Sequence, residues 1–221
     1  NNTGVRWLDD RTVAYLSDQD DGPRALYTQA IDDPGTEQLL FASDREVLDF
    51  DVQGPGEPFA VTLALGEDDA PDVYAVDPAS GGDPVPIAAT RFGEGGVDIS
   101  PDGRWVAYVS EESGRREVYV RAFPGGGPRM AISITGGSGP RWSRDGSELF
   151  YMDGDQMLVV AQLEVGERIQ VRSRDDLMET ATVEVGGASA SFDVGVEDDR
   201  FLMILEAGGS NPGSSRVLVT N

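Results

Sequence analysis

The chain is built from short apolar runs separated by turns that are rich in Gly, Pro and Asp. No window keeps the helical period of about 3.6 residues over the roughly ten to twelve residues that a helix needs. The pattern therefore predicts a nearly all-β protein, in which residues 174–180 are the one candidate for a single helical turn. The clearest set of four strands is Val97–Ser100, Val106–Ser110, Glu117–Phe123 and Met130–Ile134.

One turn occurs twice. Ser100-Pro101-Asp102-Gly103 leads into an apolar run, and Ser143-Arg144-Asp145-Gly146 does the same further along the chain. Asp-Gly favours the positive φ that a two-residue hairpin needs. Weaker copies of this turn mark the other units, and the five markers follow one another at steps of 43 to 52 residues, at Asp10, Gly56, Gly103, Gly146 and Asp198.

A four-stranded unit of this size cannot bury both faces of its sheet alone, but units stacked radially around an axis bury them against one another. A sandwich need not repeat, and a coil of a β-helix is shorter than this period. The sequence therefore predicts an all-β propeller of about five four-stranded units, either complete or the C-terminal part of a six-bladed propeller. We expect one domain over 1–221, with units at 1–45, 46–92, 93–136, 137–185 and 186–221.

The composition limits which catalytic sites, metal sites and partners are possible. The chain has 40 Asp and Glu against 17 basic residues, all of them Arg, and it lacks His, Lys and Cys. These 221 residues alone therefore cannot form a Ser-His-Asp triad, a thiol nucleophile, a disulfide, a Schiff base or an ordinary zinc or haem site. The net charge of −23 argues against nucleic acid as a partner. No apolar run is long enough for membrane insertion by this segment.

The turn and the strand after it carry a resemblance. Ser100–Ser110, followed by Arg116–Val120, resembles the TolB-like propeller repeat, a relative of the WD repeat. The segment from Arg115 to Tyr151 is similar to the C-terminal propeller region of bacterial membrane-anchored serine/threonine kinases, and so are Phe192–Met203 and Arg216–Thr220. The resemblance implies a propeller in an envelope-associated bacterial protein, with an extracytoplasmic location, either periplasmic or secreted.

Superimposing the five turns aligns one further column of charged positions. They fall on the predicted innermost strand of each unit, and we call them the channel column: Arg6, Asp51, Asp98, Arg141 and Asp193. Charges near the axis either pair across neighbouring units, which burial favours, or line a channel for a polar ligand or cation. Both interpretations stay open at this stage. The column is the candidate ligand-binding site.

The predicted function is a non-catalytic binding, scaffold or sensory module that presents loops to a protein or small polar ligand. The alternative is a glycoside hydrolase, because two channel carboxylates could perform that reaction without His, Lys or Cys. We expect no cofactor, metal or catalytic residue. Asp18–Gly22 has oxygen ligands at alternate positions but no bidentate Glu eleven residues after Asp18, and Asp153–Asp155 is shorter still, so both are interpreted as polar turns.

Overall fold

A computed structural model describes residues 2–18, 22–64, 70–81, 83–179, 192–195, 200–206 and 215–220. These residues form five antiparallel sheets, each built from strands that are consecutive in the chain. The first sheet contains β1 (Asn2–Trp7), β2 (Thr12–Ser17), β3 (Ala25–Ala30) and β4 (Gln38–Phe41). The second contains β5 (Glu46–Asp51), β6 (Phe59–Ala64), β7 (Asp72–Val76) and β8 (Val85–Ala88), with a short 3-10 turn at Pro78–Ser80.

The third and fourth sheets follow the same order. The third contains β9 (Glu94–Ile99), β10 (Trp105–Ser110), β11 (Glu117–Ala122) and β12 (Met130–Ala131). The fourth contains β13 (Ser138–Trp142), β14 (Glu148–Met152), β15 (Met157–Val165) and β16 (Ile169–Glu179). In the described residues the fifth sheet has three strands, β17 (Phe192–Val194), β18 (Phe201–Glu206) and β19 (Ser215–Thr220). The division into five units and one domain stays a prediction.

The apolar core lies between neighbouring sheets. The largest cluster joins the third sheet to the fourth through residues such as Trp105, Val120, Trp142 and Leu163. Comparable clusters join the first sheet to the second, the second to the third, and the fourth to the fifth. Each sheet thus buries its faces against the next sheet, as in a β-propeller. The predicted fold class is confirmed.

Strand β10 shows how one sequence serves two interfaces. Trp105, Ala107 and Val109 pack in the cluster shared with the fourth sheet, whereas Val106 and Tyr108 pack in the cluster shared with the second. Because successive side chains of a strand point to opposite faces, an unbroken apolar run is what a strand buried on both sides requires.

Both copies of the turn fold alike. Ser100 N–H donates to Trp105 O at 2.8 Å, and Ser143 N–H donates to Glu148 O at 2.9 Å. Four residues therefore separate the paired ends, so the expected two-residue hairpin is wrong. The positive φ at glycine is confirmed, with φ of 69° at Gly103. A second hydrogen bond closes this four-residue loop. The hydroxyl of Ser100 accepts from the N–H of Trp105 at 3.0 Å, and this bond stabilises the wider turn.

Two further expectations are wrong. Residues 174–179 belong to β16, where Val160 pairs with Asp175, rather than to a helical turn. The recurrence of aromatic residues in register along the chain also predicts that all of them pack in the core; Tyr15, Trp105, Tyr108, Trp142 and Tyr151 do, but Trp7 is 62% exposed. Within the described residues, no helix has the length and apolar character needed to cross a membrane.

Candidate functional site in the central channel

The channel column lies on the innermost strands, one residue from each sheet. Arg6 is in β1, Asp51 in β5, Asp98 in β9, Arg141 in β13 and Asp193 in β17. Each innermost strand contacts the innermost strand of the next sheet. The fold therefore brings most of these charges into one partly buried set, and the contacts among them are specific.

Asp98 connects the third sheet to the fourth. Its Oδ1 lies 3.2 Å from Nη1 of Arg141. Its Oδ2 accepts a hydrogen bond of 2.7 Å from the backbone N–H of Trp142, while the indole Nε1–H of Trp142 donates to the backbone oxygen of Asp98 at 3.1 Å. The side chains of Asp98 and Arg141 are 13% and 11% exposed. One carboxylate thus holds both a guanidinium and a backbone amide of the neighbouring sheet.

Asp51 repeats this arrangement one sheet earlier. Its Oδ2 accepts a hydrogen bond of 2.7 Å from Ile99 N–H, which occupies the position in β9 that Trp142 occupies in β13. Its Oδ1 lies 3.7 Å from Nε of Arg6 in the first sheet. Asp49, two residues earlier on the same face of β5, accepts from Val97 N–H at 3.3 Å. Two carboxylates of β5 therefore bind the edge of β9.

Burial dominates the electrostatics of the column. Burial, and then the nearby carboxylate of Asp98, raise the pKa of Asp51 to about 7. Burial also raises the pKa of Asp98, against the opposing effects of Arg141 and of the Trp142 amide. Burial alone would lower the pKa of Arg141, but Asp98, Asp49 and Asp51 outweigh it, so its pKa is raised and the guanidinium stays charged.

Asp193 forms none of these ion pairs among the described residues, although its carboxylate contributes to raising the pKa values of Asp98 and Arg141. Its side chain is exposed, and its Oδ1 accepts a hydrogen bond of 2.9 Å from the N–H of Val194 in the same strand. The structure therefore brings together Arg6, Asp51, Asp98 and Arg141, and it leaves Asp193 outside their ion pairs. Whether the channel column binds a ligand stays a prediction.

The arrangement can hold sheets in register and can carry a proton at Asp51 near neutral pH. Two of the four partly buried charges are carboxylates whose oxygens already have amide or guanidinium partners. In the part of the chain that the structure describes, no group of three or more Asp or Glu side chains is placed to hold a metal ion.

Sequence reasoning missed several of these groups. Asp49 could have been found from its spacing, because residues two apart share one face of a strand.

Two further buried carboxylates, Glu94 and Glu117, lie at the other end of the third sheet. Glu94 accepts from Thr90 Oγ1 at 2.7 Å and from Ser110 Oγ at 3.1 Å. Burial is the main cause that raises the pKa of Glu94. A charge at a strand end gives no sequence signal of burial.

The two calcium candidates were interpreted as turns. Oδ1 of Asp153 accepts from Asp155 N–H at 2.9 Å and from Met157 N–H at 2.8 Å, which makes this segment a hairpin turn, as predicted. In the Asp18–Gly22 segment, residues 19–21 lie outside the described residues.

Comparison with known proteins places the fold among β-propellers. No protein-family model matches the chain. One curated relative, an uncharacterized peptidase of Bacillus subtilis (strain 168), is 34% identical over 96 residues, which are 42% of this chain and 13% of the relative. A TolB-like protein of Agrobacterium tumefaciens matches 100% of this chain and 77% of its own, with 14% identity and a TM-score of 0.67.

Two solved enzymes share the fold. A gluconolactonase of Xanthomonas campestris matches 91% of this chain and 68% of its own, with 16% identity and a TM-score of 0.60. A prolyl endopeptidase matches 100% of this chain and 34% of its own, with 16% identity and a TM-score of 0.57. At these identities the structural likeness shows the propeller fold alone, and it confirms the TolB-like resemblance at that level.

The expected function is corrected by these findings. We expected a non-catalytic binding or scaffold module, but the curated relative is named a peptidase, and the solved propellers include a lactonase and an endopeptidase. The expectation that the protein is not an enzyme is therefore wrong. The glycoside hydrolase alternative has no counterpart among these proteins. The prediction failed because residue types within one propeller do not report chemistry carried elsewhere.

Proposed function

We propose that this chain is the propeller part of a peptidase, and that residues outside these 221 carry out the hydrolysis. The observation that supports this most is the 34% identity with a protein named a peptidase, over 96 residues. That match covers 13% of the relative, and the prolyl endopeptidase match covers 34% of that enzyme. Both matches therefore leave most of each enzyme outside the region of likeness.

The composition also supports placing the hydrolytic residues outside this chain. Hydrolysis of a peptide bond by an activated serine needs a general base, most often His, next to the nucleophile. This chain has no His, Lys or Cys. The buried carboxylates of Asp51 and Asp98 are occupied by amides and guanidinium groups of neighbouring sheets. The reacting groups are therefore assigned to another part of the protein.

In this proposal the propeller restricts and attracts substrate. Ion pairs between sheets, such as Asp98–Arg141, hold neighbouring sheets together. The charge of −23 creates a negative field, which concentrates cationic peptides and raises their association rate. We therefore expect kcat/KM to be higher for peptides that carry Arg or Lys than for matched peptides that carry Glu. The difference should shrink as salt is added, because salt screens long-range attraction.

The resemblance to kinase propellers concerns the larger protein in which this propeller would occur. Similarity to propellers of membrane-anchored kinases, and the extracytoplasmic location that it implies, stay predictions, and so does the absence of a nucleic-acid partner. The sequence of the complete coding region would show whether the propeller belongs to a peptidase or to a membrane-anchored kinase. A hydrolase domain in the same reading frame is the outcome that we expect, and a kinase domain with a membrane span would replace the peptidase proposal.

The decisive experiment is an activity assay on the complete gene product. We would express the complete protein and, separately, the 221-residue chain, and we would measure hydrolysis of fluorogenic peptides. A fluorophosphonate probe would label an activated serine. We expect hydrolysis and labelling with the complete protein and neither with the 221-residue chain. A complete protein without peptidase activity would contradict the proposal, and so would hydrolysis by the chain alone.

A further inference from the structure

The guanidinium of Arg141 is only partly used by the contacts of the channel column. Its Nη1 lies 3.2 Å from Oδ1 of Asp98 and 3.1 Å from the backbone oxygen of Pro140. An arginine side chain has five N–H donors, and three of them are on Nε and Nη2. In the part of the chain that the structure describes, neither Nε nor Nη2 of Arg141 donates a hydrogen bond. Three N–H groups of a largely buried cation therefore lack an acceptor there.

These donors open on the channel. Arg141 is 9% exposed, and its Nε and Nη2 keep accessible surface, unlike the unpartnered Nε of Arg121, which is buried. Strand β13 pairs with β14 along one edge and contacts β9 and β17 of the neighbouring sheets. Because these strands cover β13 from the other directions, the exposed part of Arg141 faces the axis of the propeller.

The position of the guanidinium is fixed by the protein itself. Asp98 accepts from Arg141 through Oδ1 and from the N–H of Trp142 through Oδ2, at 3.2 Å and 2.7 Å. One carboxylate thus holds the side chain of Arg141 and the backbone of the next residue. A donor that is already held in place loses little entropy when a ligand binds.

The charges around Arg141 decide which acceptor suits it. Four carboxylates act on its charge, those of Asp98, Asp49, Asp51 and Asp193. They outnumber the guanidinium groups of the column, which belong to Arg6 and Arg141, so an anionic ligand is repelled. A cation is disfavoured too, because the oxygens of Asp51 and Asp98 already have partners. A neutral acceptor oxygen meets both conditions.

We propose that Arg141 binds a main-chain carbonyl oxygen of a peptide in the channel. The N–H of Nε and one N–H of Nη2 lie on the same edge of the planar guanidinium, so both can donate to one oxygen. Peptide carbonyls are neutral acceptors that recur along a chain whatever its side chains. The choice of a peptide rests on the proposed function, in which the propeller contacts the substrate of the hydrolase part.

The test uses the 221-residue chain and a neutral probe, a decapeptide of Gly and Ser that is acetylated and amidated. Proton–nitrogen NMR correlation spectra of the arginine side chains would follow the Nε–H signal of Arg141 as the probe is added. We expect this signal to shift and to saturate. The same peptide with a free C-terminal carboxylate should bind no more tightly, because the surrounding carboxylates repel it.

This measurement reports binding without hydrolysis. Its failure would therefore leave the peptidase proposal standing, since that proposal is tested by the activity of the complete gene product. A complete gene product without peptidase activity would in turn leave the binding result unchanged. The two proposals can thus fail separately.

Arg141→Lys separates the charge from the shape of the guanidinium. Lysine keeps a positive charge beside Asp98 but lacks the paired N–H groups, so binding should weaken about tenfold, the loss expected for one hydrogen bond from a charged donor. Arg168→Lys, at an exposed position outside the column, is the matched control and should leave binding unchanged.

If Arg141→Lys does not fold, the Nε–H signal of the unchanged protein decides the matter alone. Three results would overturn the proposal. They are an Nε–H signal of Arg141 that does not move, tighter binding of the free acid than of the amide, and equal binding by Arg141→Lys and Arg168→Lys.

Discussion

Arg141 shows how much a single side chain does in the channel. It is the guanidinium that lies against Asp98, and Asp98 in turn binds the backbone of β13. Removal of the cation leaves a buried carboxylate without its counter-charge, and that is more costly than the loss of an exposed ion pair.

We expect Arg141→Ala to lower the free energy of unfolding by about 3 kcal/mol, the loss typical of a broken buried ion pair. Chemical denaturation with two spectroscopic probes would measure it. Arg168→Ala, at an exposed position, is the matched control and should change stability by less than about 0.5 kcal/mol. In the double variant with Asp98→Asn, the two losses should not add, because both changes remove the same pair. Additive losses would show that the pair contributes nothing.

Asp51 makes stability depend on pH. Its pKa is about 7 in the folded protein and about 4 when exposed, so the folded state binds its proton more tightly. The stability that protonation contributes is full below pH 4 and is lost as the pH rises through 7. Stability should therefore fall between pH 4 and 7, and Asp51→Asn should reduce that fall. Melting temperatures across this range measure it.

The control for the pH effect is Asp155→Asn, which removes a carboxylate from an exposed turn. This variant should keep the pH dependence of the wild-type protein. A slope that is the same in Asp51→Asn and in the wild-type protein would assign the pH dependence to other groups, among them Asp98 and Glu94, whose pKa values burial also raises.

At the scale of elements, the duplicated turn places the innermost strands. Gly103 has φ of 69°, and a Cβ there would meet no atom within 4 Å, so only the backbone conformation restricts this position. Gly103→Ala should therefore cost about 1 kcal/mol of stability. Gly125 also has open space around its Cβ position but does not have a positive φ, so Gly125→Ala is the matched control. Equal denaturation midpoints for both variants would refute this explanation.

The same turns explain what the sequence could predict. A Ser-x-Asp-Gly signal at the end of β9 and of β13 placed Asp98 and Arg141 at equivalent positions in adjacent sheets. It could not show that Asp49 and Asp51 bind amides of β9, because these partners are 48 residues apart in the chain and no local spacing encodes such contacts. The extent of β16 was missed because most of its side chains are exposed, and an exposed strand has no apolar alternation.

At the scale of the whole molecule, acidity opposes compactness. A charge of −23 on 221 residues means that the surface carboxylates repel one another. Buried pairs such as Asp98–Arg141 are shielded from salt, whereas the exposed charges are not. Salt should therefore act mainly on the repulsion and not on the contacts that hold the sheets together.

We expect the melting temperature to rise as NaCl increases from about 0.01 M to about 0.15 M, because the Debye length falls from about 30 Å to about 8 Å and screens the repulsion. Choline chloride at equal ionic strength is the control, and it should raise the melting temperature by the same amount if screening is the cause. A rise with sodium alone would indicate a bound cation. A fall with both salts would mean that exposed ion pairs such as Arg11–Asp32 stabilise the protein more than the repulsion destabilises it.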